Sequence, residues 1–299
     1  MDRIGVVGAG TMGTGVAQLF AEAGHEVVLV DVGDDVLERA RDAIARSLWM
    51  TPLTRPSAPD LPVAEVMQRI SFTADAGQLR HVRYVIENVT EDWETKRGLY
   101  GELDRICPPD VPFGVNTSAI PITRIASVTG RAPRVVGTHF MNPAPVKPTV
   151  EVIRGYHTSD QTIERTGALL EGAGKKYIVV ADSPGFVTNR VLMLMVNEAI
   201  FLLHERVAAS VTDVDRLFKE CFGHAMGPLE TADLIGLDTV LLSLEVLYDH
   251  LNDPKYRPCP LLRTMVYAGL HGRKTGQGFH TYETGSGIRM PVGRDRRRD

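Results

Sequence analysis

The sequence predicts an α/β chain, with a doubly wound sheet domain over residues 1–183 followed by an all-helical C-terminal domain over residues 184–299. Three observations predict it. Short apolar runs alternate with helix-spaced segments from residue 3 to residue 180, as strands do when helices connect them. At the N-terminus, Arg3-Ile4-Gly5-Val6-Val7 reads as a strand and runs into Gly8-Ala9-Gly10-Thr11-Met12-Gly13, with helical spacing over residues 14–23. Strand, glycine turn and helix in that order make a Rossmann-type opening. Past Asp182-Ser183-Pro184-Gly185 the apolar residues recur with a period near 3.6, so the remainder reads as helices.

The glycine turn carries chemistry. Gly8 permits the tight turn, Gly10 lets the backbone approach a pyrophosphate, and Gly13 lets helix and strand pack closely. The N-terminus of the helix that follows, with Thr11 and Met12 in the turn before it, then offers amide donors and a positive dipole end to phosphates. The next strand, residues 25–30, closes on Asp31, whose carboxylate accepts from ribose hydroxyls and repels a 2′-phosphate. NAD is therefore the expected cofactor.

The rest of the chain follows in order. Residues 34–49 read as a helix, and residues 51–62, with Pro52, Pro56, Pro59 and Pro62, as an irregular surface loop. Residues 63–70 return as a short helix, 84–87 as a strand, 93–106 as a helix and 111–116 as a strand ending in Asn116-Thr117-Ser118. Ser118 is either the N-cap of a following helix or a polar group of a site. Gly8, Asp31, Glu87, Asn116 and His139 all lie at carboxyl ends of expected strands, where ligands of such sheets sit.

Residues 134–140 and 149–153 read as strands, and Pro143, Pro145 and Pro148 keep the stretch between them from forming a helix. Such a reversal can bring His139 and Glu151 to one edge of the sheet. A carboxylate beside an imidazole fixes its tautomer and stabilises its charged form, which suits a general base. The alternative is a hydrogen-bonded histidine at a strand end and a solvated glutamate. Beyond a helix over 158–172 and a strand over 175–180, five helices are expected over residues 186–206, 211–222, 228–234, 237–251 and 261–270.

Composition narrows the function classes. The chain is 43% hydrophobic and 23% charged with net charge −4, which fits a globular protein and gives nucleic acid no basic face. The dense basic run at residues 294–298 reads as a solvated end. Cys107, Cys221 and Cys259 are widely spaced and lack metal-ligand spacing, so reduced thiols in a cytoplasmic protein, and no metal, are expected. The start leaves no room for a signal peptide, and the apolar stretch 186–204 is interrupted by Asn189, Arg190, Asn197 and Glu198, so no membrane span is expected.

Together these residues resemble the 3-hydroxyacyl-CoA dehydrogenase family over nearly the whole chain. The resemblance rests on the glycine turn with Asp31, Glu87-Asn88-Val89-Thr90-Glu91 with Lys96 after it, and Asn116-Thr117-Ser118. It continues through His139-Phe140-Met141-Asn142-Pro143, Glu151, the DSPGFVTNR run at 182–190, MGPLE at 226–230 and GRKTGQGF at 272–279. What the resemblance implies is an NAD-dependent oxidoreductase interconverting 3-hydroxyacyl and 3-oxoacyl thioesters. His139 is then the base, Glu151 its orienting partner, and Ser118 and Asn189 donors around the substrate. Glu91, Lys96, Ser118, Asn142 and Lys274 fall near the cofactor, and the helical domain is implied to bind substrate and to form a homodimer.

Two departures bear on the substrate. The family's longer, lysine-bearing helical hairpin after the second strand is replaced by the proline-rich loop 51–62, and the family's HFFNP is HFMNP at 139–143. The sequence is also similar to the subset that oxidises short hydroxyacyl groups, such as glyceryl, on an acyl carrier protein for polyketide extender units. NTSAIPIT at 116–123 and RPCPLL at 257–262 carry that likeness, with Arg39, Arg41, Arg46 and Arg55 as the basic face for a carrier. An idle NAD-binding structural protein is the reading from outside enzymology.

Overall fold

The computed structural model describes residues 2–55, 61–282 and 289–290. Two compact units divide between Phe186 and Val187. The first opens with β1 (Arg3–Val7), α1 (Thr11–Glu22), β2 (Glu26–Val30), α2 (Asp34–Trp49), α3 (Thr51–Thr54), α4 (Val63–Gln68) and β3 (Ile70–Thr73). It continues with β4 (Tyr84–Glu87), α5 (Trp93–Ile106), β5 (Phe113–Val115), α6 (Ile122–Ala126), β6 (Val135–His139), β7 (Thr149–Arg154), α7 (Asp160–Gly172) and β8 (Lys176–Ala181). These strands form one eight-stranded sheet in the order β3-β2-β1-β4-β5-β6-β7-β8. All neighbours are parallel except β6 and β7.

The alternation of side chains along these strands builds two cores. Ile4, Val6, Leu29, Val150 and Val152 bury against α1, α2 and α7 on one face. Val7, Val28, Val85, Phe113 and Ile153 bury on the other with Tyr100 and Leu103 of α5. A strand buried on both faces must be apolar at nearly every position, which is why β1, β2 and β4 are apolar at all but one end position. The strand order reverses beside β1, so β1, β2, β4, β5 and β6 bring their carboxyl ends to one crevice.

Several expectations are corrected. The helix expected over 63–70 stops at Gln68, and Ile70–Thr73 pairs with β2 as an edge strand. The proline-rich stretch opens with one helical turn, α3, because Pro52 sits in the first turn, where a missing N–H costs nothing. Pro56 and Pro59 lie outside the described residues, as does the basic run 294–298. Ser118 does not cap a helix: α6 begins at Ile122 behind Pro121.

The second unit contains α8 (Thr188–His204), α9 (Val211–Phe222), α10 (Pro228–Ile235), α11 (Leu237–Leu251) and α12 (Pro260–Tyr267). It is helical as expected, with β9 (Thr281–Tyr282) and β10 (Arg289–Met290) added as a short antiparallel pair. Its core gathers Met193, Val196, Ile200, Leu229, Leu237 and Leu244. Ser210 caps α9 through its side chain, and Gly223 in the left-handed region ends it, so both ends follow from local sequence. Among the described residues no helix is long and apolar enough to cross a membrane.

Candidate active site

The glycine turn is shaped by what a side chain would strike. Gly8 has φ +91°, and a Cβ on it would meet the Asn88 backbone at 2.9 Å. A Cβ on Gly13 would lie 1.7 Å from the Gly8 carbonyl oxygen, so helix and strand can pack this closely only with glycine. A Cβ on Gly10 would meet nothing within 4 Å, so its absence leaves open space directly before α1. No side chain caps that helix and its first turn carries no acid. Thr11 is exposed and Met12 half-buried beside it. Asp31 Oδ2 accepts the Ala9 N–H at 2.8 Å and Oδ1 the Gly33 N–H at 3.2 Å, which ties the end of β2 to the glycine turn. An uncapped helix N-terminus, an open glycine cradle and an anchored carboxylate fit the pyrophosphate and ribose of a dinucleotide.

Further along the crevice, the antiparallel pairing of β6 and β7 sets His139 directly opposite Glu151. Facing residues of adjacent strands point to the same side of the sheet, so register alone brings the two side chains together. His139 Nδ1 lies 3.0 Å from Glu151 Oε2, with 5% and 6% of the two residues exposed. A carboxylate only accepts, so the ring proton sits on Nδ1 and leaves Nε2 as an acceptor. Nε2 faces the Ser118 hydroxyl at 3.3 Å. The Phe186 ring packs against the imidazole edge to face, with centroids 5.7 Å apart.

The turn joining β6 to β7 is held from both sides. Asn116 accepts the Phe140 N–H through Oδ1 at 3.1 Å and donates to Asn88 Oδ1 at 2.8 Å. Lys175 donates to the carbonyls of Pro145 and Lys147 at 2.9 and 2.8 Å. Burial, with the Arg55 guanidinium second, pushes the Lys175 ammonium down to about 8. Asp182 receives the N–H groups of Ile122 and Thr123, fixing the start of α6. Lys175 carried no signal of this role in the sequence, because it meets its partners only through the tertiary fold, whereas Asp182 and Phe186 stood in the 182–190 run with no role assigned to them. Asn142 is exposed in the same turn.

Two residues expected to line the crevice turn inward. Lys96 and Glu87 are both fully buried, with the ammonium 2.7 and 2.8 Å from the carboxylate oxygens. Glu87 also accepts from the Tyr100 hydroxyl at 2.8 Å and the Val89 N–H at 2.6 Å. Burial pushes the Glu87 carboxyl up, and the ammonium pulls it back. The pair braces the crevice floor from below, and no part of Lys96 is exposed there. Glu91 bonds to the segment carrying Ser118. Asn189 and Lys274 belong to the second unit: Asn189 lies in the first turn of α8, and Lys274 donates to Asp238 at 2.6 Å.

A Rossmann-type sheet with an open glycine cradle and an oriented imidazole at its carboxyl edge defines a dinucleotide-dependent oxidoreductase. Comparison with known proteins narrows the class. Residues 3–183 match the family described as 3-hydroxyacyl-CoA dehydrogenase, NAD binding domain, and residues 185–282 match its C-terminal domain. A probable 3-hydroxybutyryl-CoA dehydrogenase of Bacillus subtilis is 46% identical over 287 residues, covering 95% of this chain and 98% of that protein. A 3-hydroxybutyryl-CoA dehydrogenase of Bradyrhizobium diazoefficiens is 41% identical over 282 residues, covering 94% and 96%. The crystal structure of (S)-3-hydroxybutyryl-CoA dehydrogenase from Ralstonia eutropha superposes with TM-score 0.88 at 42% identity, covering 95% of this chain and all of that one. The chain belongs to the 3-hydroxyacyl-CoA dehydrogenase family, and is an NAD-dependent oxidoreductase acting on CH–OH groups.

Proposed function

We propose that the chain interconverts short 3-hydroxyacyl-CoA and 3-oxoacyl-CoA thioesters, with His139 as general base. The observation that carries this reading is the aim of the imidazole: Nδ1 on Glu151 and Nε2 towards the Ser118 hydroxyl. The substrate's C3 hydroxyl comes within reach of both the Ser118 hydroxyl and Nε2 and gives its proton to Nε2. Glu151 stabilises the imidazolium that results. NAD, when bound, supplies the hydride acceptor. Gly8, Gly10, Thr11, Met12, Gly13 and Asp31 hold it, and Asp31 selects it over the 2′-phosphorylated form. In the reverse direction the imidazolium returns the proton to the 3-oxo oxygen. The intact set of His139, Glu151 and Ser118 argues against an idle structural protein.

The names of the relatives support a CoA thioester. Of the four arginines expected to meet a carrier protein, one is taken up inside the chain. Arg55 is forked onto Glu22 at 2.8 and 2.6 Å, Arg39 pairs with Asp35, and Arg41 lies over the Phe72 ring at 4.3 Å. Arg55 is taken up within the chain, whereas Arg39, Arg41 and Arg46 stay exposed and leave the carrier reading to the test below. Asn189 of the second unit acts as a substrate donor on this reading. The second unit also forms a homodimer, a role its exposed Val191, Leu217, Phe222 and Leu242 support. The free thiols of Cys107, Cys221 and Cys259 support a cytoplasmic setting.

The test compares kcat/KM for 3-hydroxybutyryl-CoA with that for the same acyl group on a phosphopantetheinylated carrier protein, NAD saturating. The expected result favours the CoA thioester. A clear preference for the carrier-linked group replaces this reading with the carrier one, and no turnover of either removes the dehydrogenase assignment.

A further inference from the structure

Among the described residues, three that are not glycine have φ in the left-handed region: Phe186 at +50°, Arg206 at +61° and Asn252 at +49°. Arg206 and Asn252 stand at the C-terminal ends of α8 and α11, a usual place for that conformation. Phe186 ends no helix; it comes shortly before α8 and directly after Gly185, itself at +70°. A bulky side chain is rare in this region, and such a backbone persists only where its surroundings over-determine it. They do so here. The Phe186 N–H donates to the Ser183 carbonyl at 2.8 Å. Asp182, just before, accepts the Ile122 and Thr123 N–H groups and the Thr123 hydroxyl. The Phe186 side chain is 2% exposed and lies in the core that holds Ile122 and Ile153. What this backbone delivers is a ring against the His139 imidazole, with centroids 5.7 Å apart and planes at 62°.

We infer that Phe186 is a positioning residue for the base, setting the plane of the His139 ring as Glu151 sets its tautomer. The inference rests on the reading of His139 as the base given above. The bond from Nδ1 to Glu151 fixes one atom of the imidazole. It leaves the ring able to turn about that contact, because the last torsion of a histidine side chain has broad wells. An aromatic ring packed edge to face has a preferred angle to its neighbour and resists this turning. With the plane set, Nε2 keeps its place 3.3 Å from the Ser118 hydroxyl, where the substrate must also reach. An aliphatic side chain of similar bulk fills the space but imposes no angle. A misplacement of about 1 Å in a reacting group costs on the order of 10²-fold in rate.

The experiment uses the full chain as wild type, Phe186→Ala, Phe186→Leu, Phe186→Tyr, His139→Ala and Phe186→Leu combined with His139→Ala. NAD affinity is measured without substrate by quenching of intrinsic fluorescence, and kcat per folded molecule and KM with 3-hydroxybutyryl-CoA. In Phe186→Ala kcat is expected to fall about 10²-fold and in Phe186→Leu about tenfold, with NAD Kd within about twofold of wild type in both. Phe186→Tyr, which keeps a flat ring, is expected to recover most of the loss seen with leucine. In the His139→Ala background Phe186→Leu is expected to lower the residual rate no further, because the ring being positioned is already gone. If Phe186→Ala does not fold, the leucine and tyrosine variants carry the same comparison with a smaller step. Folded leucine and alanine variants with wild-type kcat, a tyrosine variant as slow as the leucine one, or losses that multiply with that of His139→Ala overturn the inference. Wild-type turnover retained by His139→Ala removes the base reading and this inference together. A Phe186 result that fails while His139→Ala is inactive removes the inference alone.

Discussion

Among the described residues there are two buried histidine–carboxylate pairs, one in each unit, and they do different things. In the first unit Glu151 holds Nδ1 of His139, and Nε2 looks along the crevice to the Ser118 hydroxyl. In the second, Asp215 accepts from Nε2 of His280 at 2.7 Å, with both side chains almost wholly buried. Asp215 also receives the N–H groups of Leu229 and Glu230, and the His280 backbone N–H goes to Asp233. That pair joins α9, α10 and the segment before β9. Glu230 lies with it, all within 4.8 Å, and its carboxylate takes the Gly227 N–H at 3.0 Å and the Lys219 ammonium at 2.5 Å. The Lys219 ammonium already pairs with Glu230, and these bonds tie the cluster together as internal cement. An imidazole on a carboxylate therefore says little by itself. What marks His139 is the other nitrogen, aimed at a hydroxyl on the carboxyl edge of a parallel sheet.

Breaking each pair in turn separates chemistry from cohesion. The largest effect is expected from His139→Ala: turnover falls roughly 10²–10⁴-fold, with NAD affinity unchanged, because the glycine turn and Asp31 hold the cofactor. Steady-state kinetics beside a binding titration check this, and more than a third of wild-type turnover remaining means another group is the base. Glu151→Gln comes next, at the lower end of the same roughly 10²–10⁴-fold range, since an amide can donate to Nδ1 and drive the proton onto Nε2. Normal turnover in that variant places no demand on the tautomer and removes Glu151 from the account. The smallest catalytic effect belongs to His280→Ala, where turnover per folded molecule stays within about twofold and stability drops by about 1.5–3 kcal/mol, the worth of a hydrogen bond to a charged group. Denaturant midpoints measure it, and a variant of full stability but low turnover reverses the comparison.

How legible each part was depends on how local its cause is. The glycine turn, Asp31 and the helices α2, α5, α9 and α11 follow from neighbours within a few residues, and they stand where the sequence placed them. That His139 and Glu151 could share a sheet edge was also readable from one reversal, while their direct pairing waited on the register. The edge strand β3 was not, because four residues beside a short helix give no period to detect. Lys96 illustrates a second limit. Its place on α5 was legible, but whether that face met the crevice or the core depended on Glu87 and Tyr100 lying beneath it. Ser118 shows a third, since a serine after a strand reads equally as a cap until the start of α6 is known.

The central claim, that Glu151 holds His139 with its proton on Nδ1 and its Nε2 ready to accept, is open to direct measurement. Nitrogen NMR of the histidine-labelled protein distinguishes the two ring nitrogens, and His139→Gln identifies which of the nine histidines gives the relevant signals. At mildly alkaline pH the account predicts a protonated Nδ1 and a bare Nε2 at His139, with the pattern lost in Glu151→Gln. A proton on Nε2 in the native protein contradicts it.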